Sequence, residues 1–329
     1  MGLKELDLHG TNLCTLECGH CVFSSGERKL PQMGTDAIYA LVDDFSSLTN
    51  HEGTINIFGG EILLRKDLIE IIQKVRSEGL KIGITTNCQV PRSIIDMVLE
   101  QDIQRITSDL DGATPWTHDR LRNKEGNFRT VIEVLKRAVE QRIFITVNSV
   151  LNTDNIHEVE EILELCRGLE ISGLAFYYLT PTGRGKRIKG KCIDAKSWLV
   201  AKERVKNWVK QNNPAFTVVW EEAYENADSV NDTPWRCEKD HAETVFVRCD
   251  GEVYSCALLE GSAVSLGNVQ REKLSAILAH REEKAFDRSK GCPALAFNEY
   301  QDVSRPDPRV APDGIKLGCP YNCQILHGK

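Results

Sequence analysis

Cys14, Cys18 and Cys21 put three thiol side chains within eight positions near the start of a 329-residue chain. Thiolates this close suit three corners of a cubane iron-sulfur cluster, leaving its fourth iron free of protein ligands. A zinc ion is the alternative, and it needs a fourth ligand, which His20 or His9 could supply. A second group, Cys237, Cys249, Cys256, Cys292, Cys319 and Cys323, occupies the last third, while Cys88, Cys166 and Cys192 stand alone. The chain is long enough to stabilise itself by burial, so its 12 cysteines point to metal or redox chemistry and not to a disulfide framework. Two clusters at opposite ends predict two sites.

The composition narrows the setting for that chemistry. Hydrophobic residues at 41% and charged residues at 27% exclude a disordered or fibrous chain. With 41 Lys and Arg against 48 Asp and Glu, the net charge of -7 excludes a broad basic nucleic-acid footprint. No apolar run reaches the ~20 residues of a membrane span. Lys4, Glu5 and Asp7 interrupt the place of a signal peptide, so a cytoplasmic protein is expected.

Elements must then position the cysteines. A strand is expected over 3–10, leading into the first cysteine loop, and Ile38, Leu41, Val42 and Phe45 mark a helix over 35–48. A strand over 54–58 ends in Gly59-Gly60-Glu61, glycines that permit close backbone approach of a ligand beside an acceptor carboxylate. Alternation continues with strands at 80–86, 103–107, 143–150 and 174–179 and helices at 68–75, from Pro91, at 131–139 and at 156–165. Six strand-helix steps predict a parallel α/β sheet, a partial barrel or an open sheet, with its site beyond the C-terminal strand ends. Those ends carry the cysteine loop, Gly59 to Glu61, Thr85 to Cys88, Ser108 to Gly112, Asn148 and the Thr180 to Gly185 turn. Past Gly190 a helix over 196–211 and a strand over 216–220 are expected, then an acidic surface connection, then a hairpin around Asp250-Gly251.

The cysteine triplet followed by Gly59-Gly60-Glu61 resembles the radical S-adenosylmethionine (radical SAM) enzymes. The resemblance implies a partial (β/α)6 TIM-like barrel over 1–190, in which Cys14, Cys18 and Cys21 hold a 4Fe-4S cluster. The open iron of that cluster is chelated by S-adenosylmethionine (AdoMet), and Gly59, Gly60 and Glu61 bind its methionyl amine. His20 stands where the family has an aromatic residue. Thr86 and Asn87 match the third-strand end near AdoMet. Leu110-Asp111-Gly112 with His118, Asp119, Arg122 and Gly126 resembles a stretch that contacts ribose and carboxylate, with Ser108 and Asp109 competing for the polar contact. Asn148 and Arg184 are further AdoMet candidates on position.

The last third resembles the SPASM/Twitch extension, which implies a small iron-sulfur domain over 235–329 after a bridging segment over 191–234. One auxiliary 4Fe-4S cluster is implied, on Cys237, Cys256, Cys323 and Cys319, the last in competition with Cys292 and Cys249; structural zinc is the alternative. The family reaction is reductive cleavage of AdoMet to a 5'-deoxyadenosyl radical that abstracts hydrogen, with an electron donor such as flavodoxin or ferredoxin. An oxidase with an auxiliary cluster is the first reading. An epimerase is the second, with Cys88 or Cys249 as hydrogen-atom donor. With its first cysteine already at position 14, the chain leaves no room for a preceding leader-recognition domain, which favours a small-molecule substrate (sugar, tetrapyrrole or natural-product precursor) over a peptide. The basic TPTGRG-KRIKGK stretch reads first as a solvated loop. A cysteine-rich zinc scaffold without catalysis is the reading from another class.

Overall fold

A computed structural model describes residues 2–221, 223–225, 243–262, 264–281, 316–317 and 323–327. Strand β1 (Glu5–Thr11) is followed by helix α1 (Thr35–Leu48), β2 (Thr54–Gly59), α2 (Leu68–Ser77), β3 (Lys81–Thr85), α3 (Arg92–Leu99) and β4 (Arg105–Asp109). Two helices, α4 (Pro115–Arg122) and α5 (Asn127–Glu140), precede β5 (Phe144–Leu151), α6 (Val159–Gly168), β6 (Gly173–Tyr178), α7 (Ala195–Asn212) and β7 (Thr217–Glu221). Strands β1 to β7 pair in chain order and all in parallel. This is the partial (β/α)6 arrangement, with β7 as a further parallel strand.

Strand alternation divides the two faces. Leu6, Leu8, Ile55, Ile57, Ile82, Ile84, Ile106, Ile145 and Val147 turn outward into one apolar cluster with Ile38, Val42, Phe45, Ile71 and Val75 of the helices. The sequence reading ended the barrel near residue 190, but the same cluster runs on through α7 and β7. Trp198 and Trp220 lie 4.4 Å apart by ring centroid, and Phe176 of β6 packs 5.5 Å from Trp220. The inner face is polar instead. Asn56 donates to Asp7 (3.0 Å) and accepts from Arg105 (2.5 Å), and the Thr107 and Thr146 hydroxyls meet at 2.6 Å.

The C-terminal segment joins the barrel at its first edge. After the two-residue β8 (Tyr224–Glu225), β9 (Thr244–Val247) pairs in parallel with β1, so that Leu8 faces Val247. The expected hairpin follows, with β10 (Glu252–Tyr254) antiparallel to β9 and Gly251 at φ +87° in its turn. Strand β11 (Gly267–Asn268) extends it, and α8 (Leu274–Ala279) is tied to α1 by Ser275, whose N–H and hydroxyl donate to Asp44 at 2.8 and 2.9 Å. Strand β12 (Lys316–Leu317) pairs with β8, and β13 (Cys323–His327) runs antiparallel along β7 at the far edge. Among the described residues no helix is long and apolar enough to cross a membrane.

Where the barrel meets this segment, His9 of β1 stacks on Phe23 at 4.7 Å, with Phe58 and Phe246 at 6.0 and 6.3 Å. Neither ring nitrogen has a hydrogen-bond partner among the described residues, and burial pushes the imidazole pKa down to about 3. The unfolded chain therefore binds a proton below pH 6.5 that the folded chain refuses. Stability falls as pH drops through that window, by about 1.4 kcal/mol per pH unit for one such group. His9→Phe keeps the aromatic stack and removes both the proton and the unpartnered nitrogens. Thermal melts at pH 8 and pH 5 are expected to show a shallower acid loss in the variant; an unchanged loss refutes the assignment.

Candidate metal centre and barrel mouth

The cysteine loop leaves β1 after Thr11 but does not leave β2. Gly60 N–H donates to Thr11 O (2.8 Å) and Glu61 N–H to Leu13 O (2.7 Å), so the ladder runs two residues past the strands. A Cβ on Gly59 would stand 2.2 Å from Thr11 O, and one on Gly60 2.1 Å from Leu13 O. The glycine pair thus permits close approach to the chain's own cysteine loop. The other side of the loop is closed by Arg184, whose Nε donates to Cys18 O (2.9 Å) and Nη1 to Ser25 O (2.7 Å). Arg184 N–H donates to Cys21 O (3.0 Å), and Gly183, at φ +51°, sits where a Cβ would be 2.3 Å from Val22 O.

Every sulfur of the triplet receives an N–H. Cys14 Sγ accepts from Leu16 N (3.4 Å) and Asn87 Nδ2 (3.5 Å), Cys21 Sγ from Ser25 N (3.5 Å) and Cys18 Sγ from Arg122 Nη1 (3.7 Å). Burial pushes the metal-free Cys18 thiol up to about 11, against the pull of Arg122, and raises Cys14 as well. No three Cys, His, Asp or Glu side chains among the described residues converge on one point, as a zinc ion with ligands at about 2.0–2.3 Å requires. A cubane offers separate irons to separate thiolates, and each sulfur of the triplet has a donor to carry its charge. Two histidines could have completed a zinc site. His20 Nε2 lies 3.9 Å from Asp111, and His9 is in its aromatic stack.

Behind the loop, Glu61 ties the ends of β2 and β3 together. Its carboxylate accepts from Leu63 N (2.9 Å), Asn87 N (2.8 Å) and the Thr86 hydroxyl (2.9 and 3.0 Å). Burial pushes its pKa up to about 7, against those donors. Glu61 and Thr86 are thus bracket residues with their polar atoms already paired, while Asn87 reaches forward to Cys14 and Thr15. Of the two competing residues on β4, Ser108 turns into the core, where it donates to Thr86 O (2.8 Å) and meets Cys88 Sγ at 3.4 Å. Asp109 turns to the inner face and pairs with Arg122. Asn148 lies on the same inner face, in register with Asp109.

Both candidate hydrogen-atom donors are buried. Cys88 is 0% exposed at φ +63°, with burial pushing its pKa up to about 12. Cys249 is 1% exposed, and burial pushes it up to about 11. Cys166 is buried in the helix-facing core, and the half-buried Cys192 donates to Leu179 O.

A cavity of about 150 Å³ opens between the cysteine loop, the ends of β5 to β7 and the hairpin segment, lined by His20, Val22, Val150, Tyr177, Glu221 and Leu258. Sequence reasoning missed Glu221, placing it at the start of an acidic connection. Its Oε2 accepts Tyr178 N–H at 2.5 Å, while Oε1 is buried without a partner among the described residues. Burial holds the carboxyl well above the usual range. The signal available was the period-2 alternation of β7, which turns Val218 and Trp220 outward and Glu221 inward.

A profile of the radical SAM superfamily matches residues 8–166, and the SPASM iron-sulfur cluster-binding domain matches residues 237–297. The chain belongs to the radical SAM superfamily. It is 27% identical over 201 residues to the AdoMet-dependent heme synthase of Oleidesulfovibrio alaskensis, covering 60% of this chain and 50% of that protein. It is 23% identical over 293 residues to the PqqA peptide cyclase of Rhizobium meliloti, covering 85% and 74%. In fold it matches SuiB of Streptococcus suis, solved with S-adenosylmethionine, at TM-score 0.74 and 14% identity over 93% of this chain and 75% of that one. The chain spans about half the length of the heme synthases it matches.

As a radical SAM protein with a SPASM domain, the chain has AdoMet, a 4Fe-4S cluster and an auxiliary cluster as its cofactors. Of the auxiliary ligands expected from sequence, half-buried Cys256 is described, opening the turn that carries Leu258. Cys323 begins β13 opposite Glu221, and its side chain lies outside the described residues, as do Cys237, Cys292 and Cys319 entirely.

The glycine corner is open to a direct test. Gly60→Ala puts a methyl group into backbone that cannot yield, at a cost of about 1–3 kcal/mol. The variant is expected to melt lower and to retain less iron after anaerobic reconstitution than Gly168→Ala, where the added Cβ meets nothing within 4 Å. Equal iron in the two variants refutes the corner's role.

Proposed function

We propose that Cys14, Cys18 and Cys21 hold the AdoMet-binding cluster, and that the chain is an enzyme acting on a C–H bond of a group held in the barrel mouth. The observation that carries this reading is the N–H donor on each of the three sulfurs, on a loop pinned from both sides. When bound, the cluster and AdoMet supply one-electron reduction and hydrogen-atom abstraction; the chain supplies position and shelter from water. Asn87 and Arg122 hold the sulfurs, Glu61 fixes the strand ends behind them, and Asn148 and Asp109 line the inner wall on the AdoMet side. Glu221 offers its unpartnered oxygen to a hydroxyl or amine of the substrate. Cys256 with Cys237, Cys319 and Cys323 is the proposed ligand set of the auxiliary cluster, which would take up an electron. Net oxidation is favoured over epimerisation because a donor thiol must reach the substrate radical, and Cys88 and Cys249 are both buried.

The substrate we propose is a small biosynthetic precursor, a reading supported by the likeness to heme synthases and by a cavity of about 150 Å³. A peptide is the second reading, favoured by the longer reach of the likeness to PqqA peptide cyclase. A flavodoxin or ferredoxin is the electron source in either case. Reconstituted anaerobically, the protein should be brown, absorbing near ~400 nm as thiolate-bound clusters do. It should form 5'-deoxyadenosine from AdoMet under reduction, and Cys14→Ala should abolish that product. A colourless zinc-loaded protein, or undiminished product from the variant, overturns the proposal. Deuterium from solvent in the product would favour thiol quenching over oxidation.

A further inference from the structure

We infer that Arg122 sets the reduction potential of the N-terminal cluster, by fixing a buried positive charge and an N–H donor on the sulfur of Cys18. The inference rests on the proposal that Cys18 is a cluster ligand. Four donors meet the three sulfurs, and Leu16 N, Ser25 N and Asn87 Nδ2 are neutral. The fourth, Arg122 Nη1 at 3.7 Å, carries a full charge on a side chain only 6% exposed.

The guanidinium has no freedom to turn elsewhere. Its Nη2 lies 2.8 Å from Asp109 Oδ2 and its Nε 2.7 Å from Asp111 Oδ2, charge contacts that lack the alignment of hydrogen bonds. Asp111 is itself fixed, since Oδ1 accepts Val150 N–H (2.8 Å) and its backbone N–H donates to His118 (3.1 Å). All three nitrogens of Arg122 thus face groups of the protein, and Nη1 is the one aimed at the sulfur.

Reduction adds a negative charge to the cluster. A cation held beside one ligand sulfur, shielded from water, stabilises the reduced form, and an N–H directed at sulfur does the same. The two aspartates oppose this, Asp109 from a side chain 20% exposed and Asp111 from a fully buried one. The potential should therefore respond in opposite directions to removal of the cation and removal of one of its counter-charges. A residue that only supports the loop has no reason to behave so.

The test is a potentiometric titration of the reconstituted protein, followed by the EPR signal of the reduced cluster. The N-terminal cluster is identified as the one whose signal changes when AdoMet is added. Arg122→Gln should lower its midpoint, reducing the ratio of reduced to oxidised cluster at fixed potential by tenfold or more, a shift of about 59 mV per tenfold for one electron. Asp109→Asn, which keeps the guanidinium, should raise the midpoint, and Arg122→Lys should fall between Arg122→Gln and the parent. If Arg122→Gln assembles no cluster, the signs of Asp109→Asn and Arg122→Lys decide. Unchanged midpoints, or shifts of one sign in Arg122→Gln and Asp109→Asn, overturn the inference. Cys18→Ala separates the two levels. If it keeps the AdoMet-responsive signal and full iron content, the ligand assignment fails, whatever the potentials are.

Discussion

Two backbone hydrogen bonds, Gly60 N–H to Thr11 O and Glu61 N–H to Leu13 O, keep the cysteine loop against β2 after β1 has ended. They exist only because positions 59 and 60 have no side chain; an added methyl group would overlap carbonyl oxygens at 2.1–2.2 Å. Once that corner is closed, the remainder of the site follows from it. Glu61, whose backbone holds the loop, turns its carboxylate backward to Thr86 and Asn87, and Asn87 turns forward to Cys14. One short segment thereby fixes the loop, the end of the third strand and a donor to the first sulfur.

The sheet supplies the second constraint. Its outer face is apolar and saturated by helices, so the helices cannot shift without opening the core. The inner face is left for polar side chains, and low in the barrel these satisfy one another across strands, as Asp7, Asn56 and Arg105 do. Toward the C-terminal ends Glu221 has an oxygen with no partner among the described residues, and there the cavity opens. Because β9 pairs with the edge of β1, the hairpin brings Phe246 onto His9 and Phe23. The described hairpin of the SPASM match is therefore seated on the barrel beside the cysteine loop.

Much of this was legible in residue types and spacing. The apolar periodicities of 35–48 and 68–75 predicted α1 and α2, and the cysteine triplet with Gly59-Gly60-Glu61 marked the loop and its corner. Helix α4 was not anticipated because its run PWTHDRLR carries almost no apolar stripe. Its signal is local, Thr114 accepting Thr117 N–H as N-cap and Pro115 at the first helical position. The choice between Ser108 and Asp109 was a question of strand parity, and parity also explains Glu221, which composition assigned to an acidic connection. The barrel runs past 190 because Trp198 and Trp220, unremarkable as single residues, meet in its core. What spacing could not predict was that the Glu61 carboxylate, and Nε and Nη1 of Arg184, would be engaged by the chain itself.

That last point bears on how charge is managed in the mouth. Among the described residues that contact the cysteine loop, Arg184 and Arg122 are buried cations, and they serve different ends. Arg184 directs two of its nitrogens at carbonyl oxygens, so its contribution is to hold loop geometry. Arg122 faces two carboxylates and a sulfur, and burial that would by itself depress its pKa is outweighed by Asp109 and Asp111, which raise it well above the usual value. The carboxyls without such a partner meet the same problem by binding protons more tightly, as Glu221 and Glu61 do. On the proposal that the triplet holds an anionic cluster, its charge is accommodated because the nearby acids are either paired with Arg122 or inclined to neutrality, and because Arg122, directed at the Cys18 sulfur, is locked by the aspartates it balances.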